Sequence, residues 1–304
     1  MPIWNIAFKN MTVTLPAIAL NTAQEVSITP LDAPLGAVVT GLDASKPVDP
    51  VTILRLKQAH RNYHILIFKN QKLTDEQLKN FAYYFGDLFV PLDETPVLAS
   101  KTGVTPVVIP VANIEGGFTG TGELSFHADH HWTPYPSSGS FLYAEEVTTK
   151  GGETAWLNLN LAYESLDAAT KERIKDLQLI TYNPFVRNSN SPRRLYRTDT
   201  STPLVAPVFP HPLVRTHPES GLKVLSLGYE TEVSLVGVDP EEGSALIAQL
   251  REHLNQSKFY YEHKWSVGDI VYWDNQSTLH RRTAFDPSER RVLKRISLAG
   301  SRPF

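Results

Sequence analysis

The chain contains no cysteine among its 304 residues. Disulfides, thiolate metal ligands and cysteine nucleophiles are therefore excluded, and a reducing, cytoplasmic compartment is the expectation. No run of about eighteen apolar residues occurs, so no spanning helix and no membrane partner are expected. Lys9 followed by Met11 to Leu20 and a small-residue stretch ending at Ala23 resembles a weak signal peptide, but Pro16 interrupts it and it reads as an N-terminal arm. There is no basic surplus: the formal net charge is −3 with 20% charged residues, which argues against nucleic-acid binding. Internal repeats and low-complexity linkers are also missing. The length admits one large β domain with insertions, and residues 1–304 are read as a single domain that is compatible with a homo-oligomer.

What is present reads as strands with helices outside them. Asp49-Pro50 gives the N-cap and first position of a helix through His60, and Thr74 with Gln77 forms a capping box for a helix carrying Leu78, Phe81 and Phe85. Further helices are expected from Leu161 to Leu177 and after Asp239-Pro240, the latter bearing Leu246, Ile247, Leu250 and Leu254. Strands are expected over His64–Phe68, Gly139–Val147, Thr154–Leu159, Lys223–Leu227, Asp269–Trp273 and Val292–Ala299. This pattern predicts a mainly β fold with flanking helices, a jelly roll (double-stranded β-helix) whose mouth holds a ligand. The segment 183–211, with five prolines and Arg187, Arg193, Arg194 and Arg197, lacks periodicity and is expected to be a lid or insertion.

Chemistry concentrates in Phe126-His127-Ala128-Asp129 and, about 150 residues on, His280. Two imidazoles and one carboxylate with open positions opposite them suit non-heme Fe(II). Residues i and i+2 of a strand project to one side, so an extended His127-Ala128-Asp129 would offer both ligands to one ion while Ala128 points away. Trp273-Asp274-Asn275 reads as a turn leading into the strand of His280. Any single one of the ten histidines is more readily an ordinary core or surface residue. The segment after His280 adds weight. Arg291, Leu293, Arg295 and Ser297 share one strand face, the two arginine roots being about 13 Å apart at roughly 3.3 Å per residue. Inward guanidinium groups need anions; a solvated basic edge strand is the alternative.

In this order, Leu35–Asp43, His64–Gln71, Leu73–Gln77, Phe85–Leu88, His127-Ala128-Asp129, Gly151-Gly152-Glu153-Thr154 and His280–Arg295 make the chain resemble the taurine and 2,4-dichlorophenoxyacetate dioxygenase family of Fe(II)- and 2-oxoglutarate-dependent oxygenases. The resemblance implies that His127, Asp129 and His280 ligate iron and form the catalytic centre. It implies that Thr154 and Arg291 hold the distal carboxylate of 2-oxoglutarate, with O2 as co-reactant and ascorbate a candidate reductant. Arg295 matches a second arginine that in some members grips the acidic group of the prime substrate; members differ over which arginine serves the cosubstrate, so Arg295 stands as a candidate for both.

Two departures bear on the substrate. Where the taurine enzyme has a sulfonate-binding His before a Pro, this chain has Val90 before Pro91; where that enzyme has an Asn lining the pocket, it has Glu123. The first removes a sulfonate donor and disfavours taurine; the second offers a carboxylate to an amine or guanidine, a solvent-facing Glu being the alternative, and together with Arg295 it favours a small molecule bearing a carboxylate and an amine. Of His130 and His131, one is expected to line the pocket and the other to be structural. Because Asp129 is present, hydroxylation, desaturation or oxidative cleavage, with release of succinate and CO2, is expected rather than halogenation. A zinc hydrolase and a non-catalytic jelly-roll binding module stand as the alternatives; the absence of a helical His-Glu-X-X-His argues against the first, and the lack of a fourth ligand against the second.

Overall fold

The computed structural model describes residues 25–89, 107–181, 185–187, 194–196, 209–229 and 231–304. In chain order the strands are β1 (Ser27–Pro30), β2 (Ala37–Thr40), β3 (Ile65–Phe68), β4 (Ile109–Ala112), β5 (Leu124–His127), β6 (Gly139–Glu146), β7 (Thr154–Asn158), β8 (Gln178–Thr181), β9 (Phe185–Arg187), β10 (Arg194–Tyr196), β11 (Pro210–Pro212), β12 (Val214–Thr216), β13 (Lys223–Leu225), β14 (Glu232–Leu235), β15 (Tyr260–His263), β16 (Ile270–Asp274), β17 (Thr278–Arg282) and β18 (Val292–Leu298). The helices are α1 (Pro50–Tyr63), α2 (Asp75–Tyr83), α3 (Leu159–Glu164), α4 (Ala168–Ile174) and α5 (Pro240–Leu254). The N-terminal arm and Val90 lie outside the described residues, as does most of the expected lid at 183–211, of which the paired β9 and β10 and the start of β11 are described.

Two sheets carry the fold: a seven-stranded one in the order β1-β2-β3-β16-β6-β18-β4 and a four-stranded one in the order β15-β7-β17-β5. The period-two alternation of each strand sorts side chains into layers. Ile65, Ile67, Leu142, Ala144, Val271 and Trp273 of the large sheet meet Trp156 of the small one in a single apolar cluster. Their neighbours Leu66, Phe68, Phe141, Tyr143, Ile270 and Tyr272 pack outward with Leu56 of α1 and Leu78 and Phe81 of α2. Ala155, Leu157 and Leu279 turn the other way, toward Ala162 of α3 and Leu246, Ile247 and Leu250 of α5. This is the expected jelly roll: facing sheets, helices outside, and a polar site left at the end of the inner layer.

The helix starts follow from their caps. Asp49 accepts from the Thr52 amide at 2.9 Å ahead of Pro50, Thr74 and Gln77 form the reciprocal capping box, and Asp239 accepts from the Glu241 and Glu242 amides. The helix expected over 161–177 is instead two. Asn158 caps α3 through the Leu161 amide, and Asp167 caps a fresh helix through the Thr170 amide. Local hydrogen bonding by Asp167 outcompetes helix continuation there. No helix among the described residues is long and apolar enough to cross a membrane.

Burial pushes the His60 imidazole, stacked on Tyr272 at 3.8 Å, down to about 4. Burial, reinforced by His131 and Arg215, pushes His211 down to about 3. Both are neutral in the fold while the unfolded chain protonates near pH 6.5, so their contribution to stability is complete above that pH and is lost as pH falls toward 4. Each such group removes about 1.4 kcal/mol per pH unit in that window. Denaturant titrations at pH 7 and pH 5 check this; equal or greater stability at pH 5 would contradict it.

Candidate active site

His280 sits on β17 in the interior of the small sheet, its backbone opposite Trp156 of β7 and His127 of β5. His127 ends β5, and one ligand atom from each of His127, Asp129 and His280 lies within 4.8 Å of the others. The two imidazole rings are 4.2 Å apart. Nδ1 of His127 donates to the Ser125 carbonyl at 2.7 Å, leaving the Nε2 lone pair for a metal. Burial, aided by His127 and opposed by Asp129, pushes His280 down to about 3, so this imidazole is neutral at ordinary pH. Burial alone would raise Asp129, but Arg295 and the neighbouring imidazoles outweigh it and hold the carboxyl well below the usual range. Two imidazoles and a carboxylate are the donor set that an open Fe(II) site requires.

The three-residue strand expected to carry His127 and Asp129 together is not what places them. β5 stops at His127, and Asp129 opens a turn in which His130 takes a left-handed φ of 59°. Ala128 does point away, into the apolar layer beneath the small sheet. Asp129 is positioned through its backbone instead. Its amide donates to Asn275 Oδ1 at 2.8 Å, and Asn275 Nδ2 donates back to the Asp129 carbonyl and to the Ser137 carbonyl, each at 2.9 Å.

Asn275 is one of four consecutive residues that each tie the turn to a distant part of the chain. Asp274 Oδ2 lies 2.8 Å from His217 Nε2, while His217 Nδ1 accepts from the Glu219 and Ser220 amides, leaving its proton on the side of the carboxylate. Gln276 Oε1 accepts from buried Arg215. Ser277 Oγ is 2.9 Å from His64 Nδ1. The β16–β17 turn is thus fastened on every side before the chain enters the strand of His280.

Both inward arginines are where the alternation of the last strand predicts, with different partners. Arg295 Nη1 donates to both Asp129 oxygens at 2.9 Å, while its Nε is buried without a partner. Arg291 Nε donates to the Gly152 carbonyl at 3.0 Å, and its Nη2 lies 3.4 Å from Thr154 Oγ1. That hydroxyl also accepts from Trp265 Nε1 at 3.0 Å, so its own proton is available to a ligand. Gly152 has a φ of +74°, and a Cβ there would stand 3.0 Å from Arg291 Cδ, so the glycine both turns the chain and lets the guanidinium stem lie on the backbone. Burial first, then Arg282, pushes Arg291 down to about 9. A cleft lined by Val147, Gly152, Glu153, Lys264, Trp265 and Arg291 opens at this end.

Of the other candidates, Glu123 is exposed just ahead of β5. His130 is buried, stacked on Phe89 at 4.0 Å, with Nδ1 3.2 Å from Ser137 Oγ. His131 is also buried, its Nδ1 2.6 Å from the buried carboxylate of Glu232. Sequence reasoning missed Asn275 and Arg282. Asn275 lay inside a segment recognised only as a turn; Arg282 stands two residues after His280, a spacing that marks the same strand face. Asn275→Ala is expected to weaken Mn(II) binding about 10- to 100-fold, because it releases the ligand loop, while far-ultraviolet circular dichroism stays unchanged. Mn(II) titration by electron paramagnetic resonance measures it, and an unaltered affinity would refute the clamp.

The chain matches the family model "Taurine catabolism dioxygenase TauD, TfdA family" over residues 27–297. It is 32% identical over 280 residues to the (S)-phenoxypropionate/alpha-ketoglutarate-dioxygenase of Sphingobium herbicidovorans, covering 90% of this chain and 94% of that protein. Among solved structures, a taurine dioxygenase from Burkholderia xenovorans aligns with a TM-score of 0.74 at 29% identity, over 91% of this chain and 92% of that one. AAD-2 in complex with Mn(II) and N-oxalylglycine aligns with a TM-score of 0.74 at 30% identity, over 91% and 98% of the two chains. With the family model spanning β1 to β18, the chain belongs to the TauD, TfdA family and is a 2-oxoglutarate-dependent non-heme iron dioxygenase.

Proposed function

We propose that His127, Asp129 and His280 hold Fe(II), that Arg291 and Thr154 hold the distal carboxylate of 2-oxoglutarate, and that the enzyme oxidises a C–H bond of a small carboxylate- and amine-bearing molecule with release of succinate and CO2. The observation that carries this reading is the convergence of three metal-binding atoms within 4.8 Å in a fold whose last strand turns buried guanidinium groups inward. Bound iron supplies the site for O2 activation; the protein supplies orientation and exclusion of water.

The residues divide that task. Arg295 keeps Asp129 ionised and oriented, and its buried Nε is unspent, so a substrate carboxylate can be taken without releasing the metal ligand. Arg291 offers charge-assisted donors beside the free proton of Thr154. His130 stacked on Phe89 gives the site a wall, and Val90 offers no donor to a sulfonate. Glu123, exposed ahead of β5, is the candidate partner for an amine. The carboxylate class gains support from the relative named for phenoxypropionate.

Succinate release measured with Fe(II) and 2-oxoglutarate across carboxylic acids with and without amines, sulfonates and neutral aromatics identifies the class. Preference for taurine or a neutral aromatic would overturn the charge assignment, and Glu123→Gln should raise the KM of an amine-bearing substrate alone. Arg291→Gln should raise the KM for 2-oxoglutarate by roughly 30- to 1,000-fold, equivalent to about 2–4 kcal/mol for a desolvated charge pair. If Arg295→Gln shows that effect instead, the cosubstrate role passes to Arg295.

A further inference from the structure

A third buried arginine has no assigned task. Arg282 closes β17, two residues beyond His280, and its backbone stands opposite Thr154 of β7. In an antiparallel pair, opposed residues point to the same face and alternate residues share it, so Arg282 lies on the side of His280, Thr154 and Trp156. Its neighbour Arg281 demonstrates the alternation: that guanidinium turns outward, over the rings of Phe126 and Tyr260 and 3.6 Å from Glu262.

Arg282 is 4% exposed, and its Nε and Nη1 are buried without partners, while Nη2 donates to the Gly122 carbonyl. Its guanidinium and that of Arg291 lie over one ring, Phe285, at 5.2 and 6.0 Å from the centroid. Neither has a carboxylate within ion-pair distance among the described residues. Glu153, the acid that acts on Arg291, accepts instead from Thr283 Oγ1 at 2.6 Å. Two cations brought together in a desolvated space, with donors left unmade, repel each other unless an anion joins them.

We infer that Arg282 is a cosubstrate-binding residue that supplies a second guanidinium to the distal carboxylate of 2-oxoglutarate, across from Arg291. This rests on the placement of that carboxylate at Arg291 and Thr154. Arg282 takes no part in metal binding, which falls to His127, Asp129 and His280. The arrangement places about the same cationic demand on either side of one carboxylate, which two fork-shaped donors satisfy better than one.

The test measures binding of N-oxalylglycine to Mn(II)-loaded full-length protein by calorimetry, together with the melting temperature before and after the ligand is added. Arg282→Gln should weaken N-oxalylglycine binding at least tenfold and shrink the ligand-induced thermal shift, with Mn(II) affinity unchanged and the ligand-free melting temperature equal to or above that of the wild type, since a repelling charge is gone. Arg282→Lys, which keeps the charge, should retain more affinity than the Gln variant; it also serves if Arg282→Gln does not fold. Wild-type N-oxalylglycine affinity in both variants, or a lowered melting temperature with affinity intact, would mean that Arg282 only ties down the Gly122 loop, and the inference is lost. Arg291→Gln separates the two claims: if it weakens binding while the Arg282 variants do not, only this inference fails, and if neither arginine matters, the placement of 2-oxoglutarate fails with it.

Discussion

The side-chain amide of Asn275 joins two segments 146 positions apart, and the candidate metal site exists because of that join. His127 and His280 are placed by neighbouring strands, whose geometry the sheet fixes. Asp129 lies past the end of its strand and has no ladder to hold it. Two hydrogen bonds from one amide set its backbone against the turn that leads into the strand of His280. That turn is itself fastened by Asp274 to His217, Gln276 to Arg215 and Ser277 to His64. Such buried polar connections are costly when incomplete, and complete ones specify a single arrangement.

Electrostatics then sets the inner layer apart from the apolar cluster beside it. One buried carboxylate, Asp129, faces Arg295, while Arg282 and Arg291 stand farther along with no carboxylate within ion-pair distance among the described residues. The protein thus keeps the candidate metal ligand ionised and leaves positive charge where the proposed cosubstrate site lies. Gly152 belongs to the same device, since only a residue without Cβ allows the Arg291 stem to rest on its backbone. The dianionic character of 2-oxoglutarate fits the proposed placement, with one end toward the metal and the other toward the guanidinium groups.

Much of this was legible in the sequence because it is written locally. An extended apolar run marked β16, alternation marked β18, and the cap residues Asp49, Thr74 and Asp239 marked α1, α2 and α5. The His-X-Asp spacing and the arginine periodicity of the last strand named the candidate ligands and anion partners. The rest depends on contacts between distant segments. The break of the 161–177 helix is by contrast local, set by the Asp167 cap, but nothing local says that Asn275 will meet Asp129 or that Arg295 will sit on that candidate ligand. The expectation of one extended strand through Asp129 failed for the same reason: a long-range clamp replaced a local period.

The central claim is that His127, Asp129 and His280 form one open Fe(II) centre with 2-oxoglutarate bound beside it. Anaerobic addition of Fe(II) and 2-oxoglutarate to the purified protein tests it most directly. A weak visible charge-transfer band that saturates at one iron per chain and disappears in Asp129→Ala is the predicted result. A band that survives in Asp129→Ala, or its absence from the folded wild-type protein, would contradict the account.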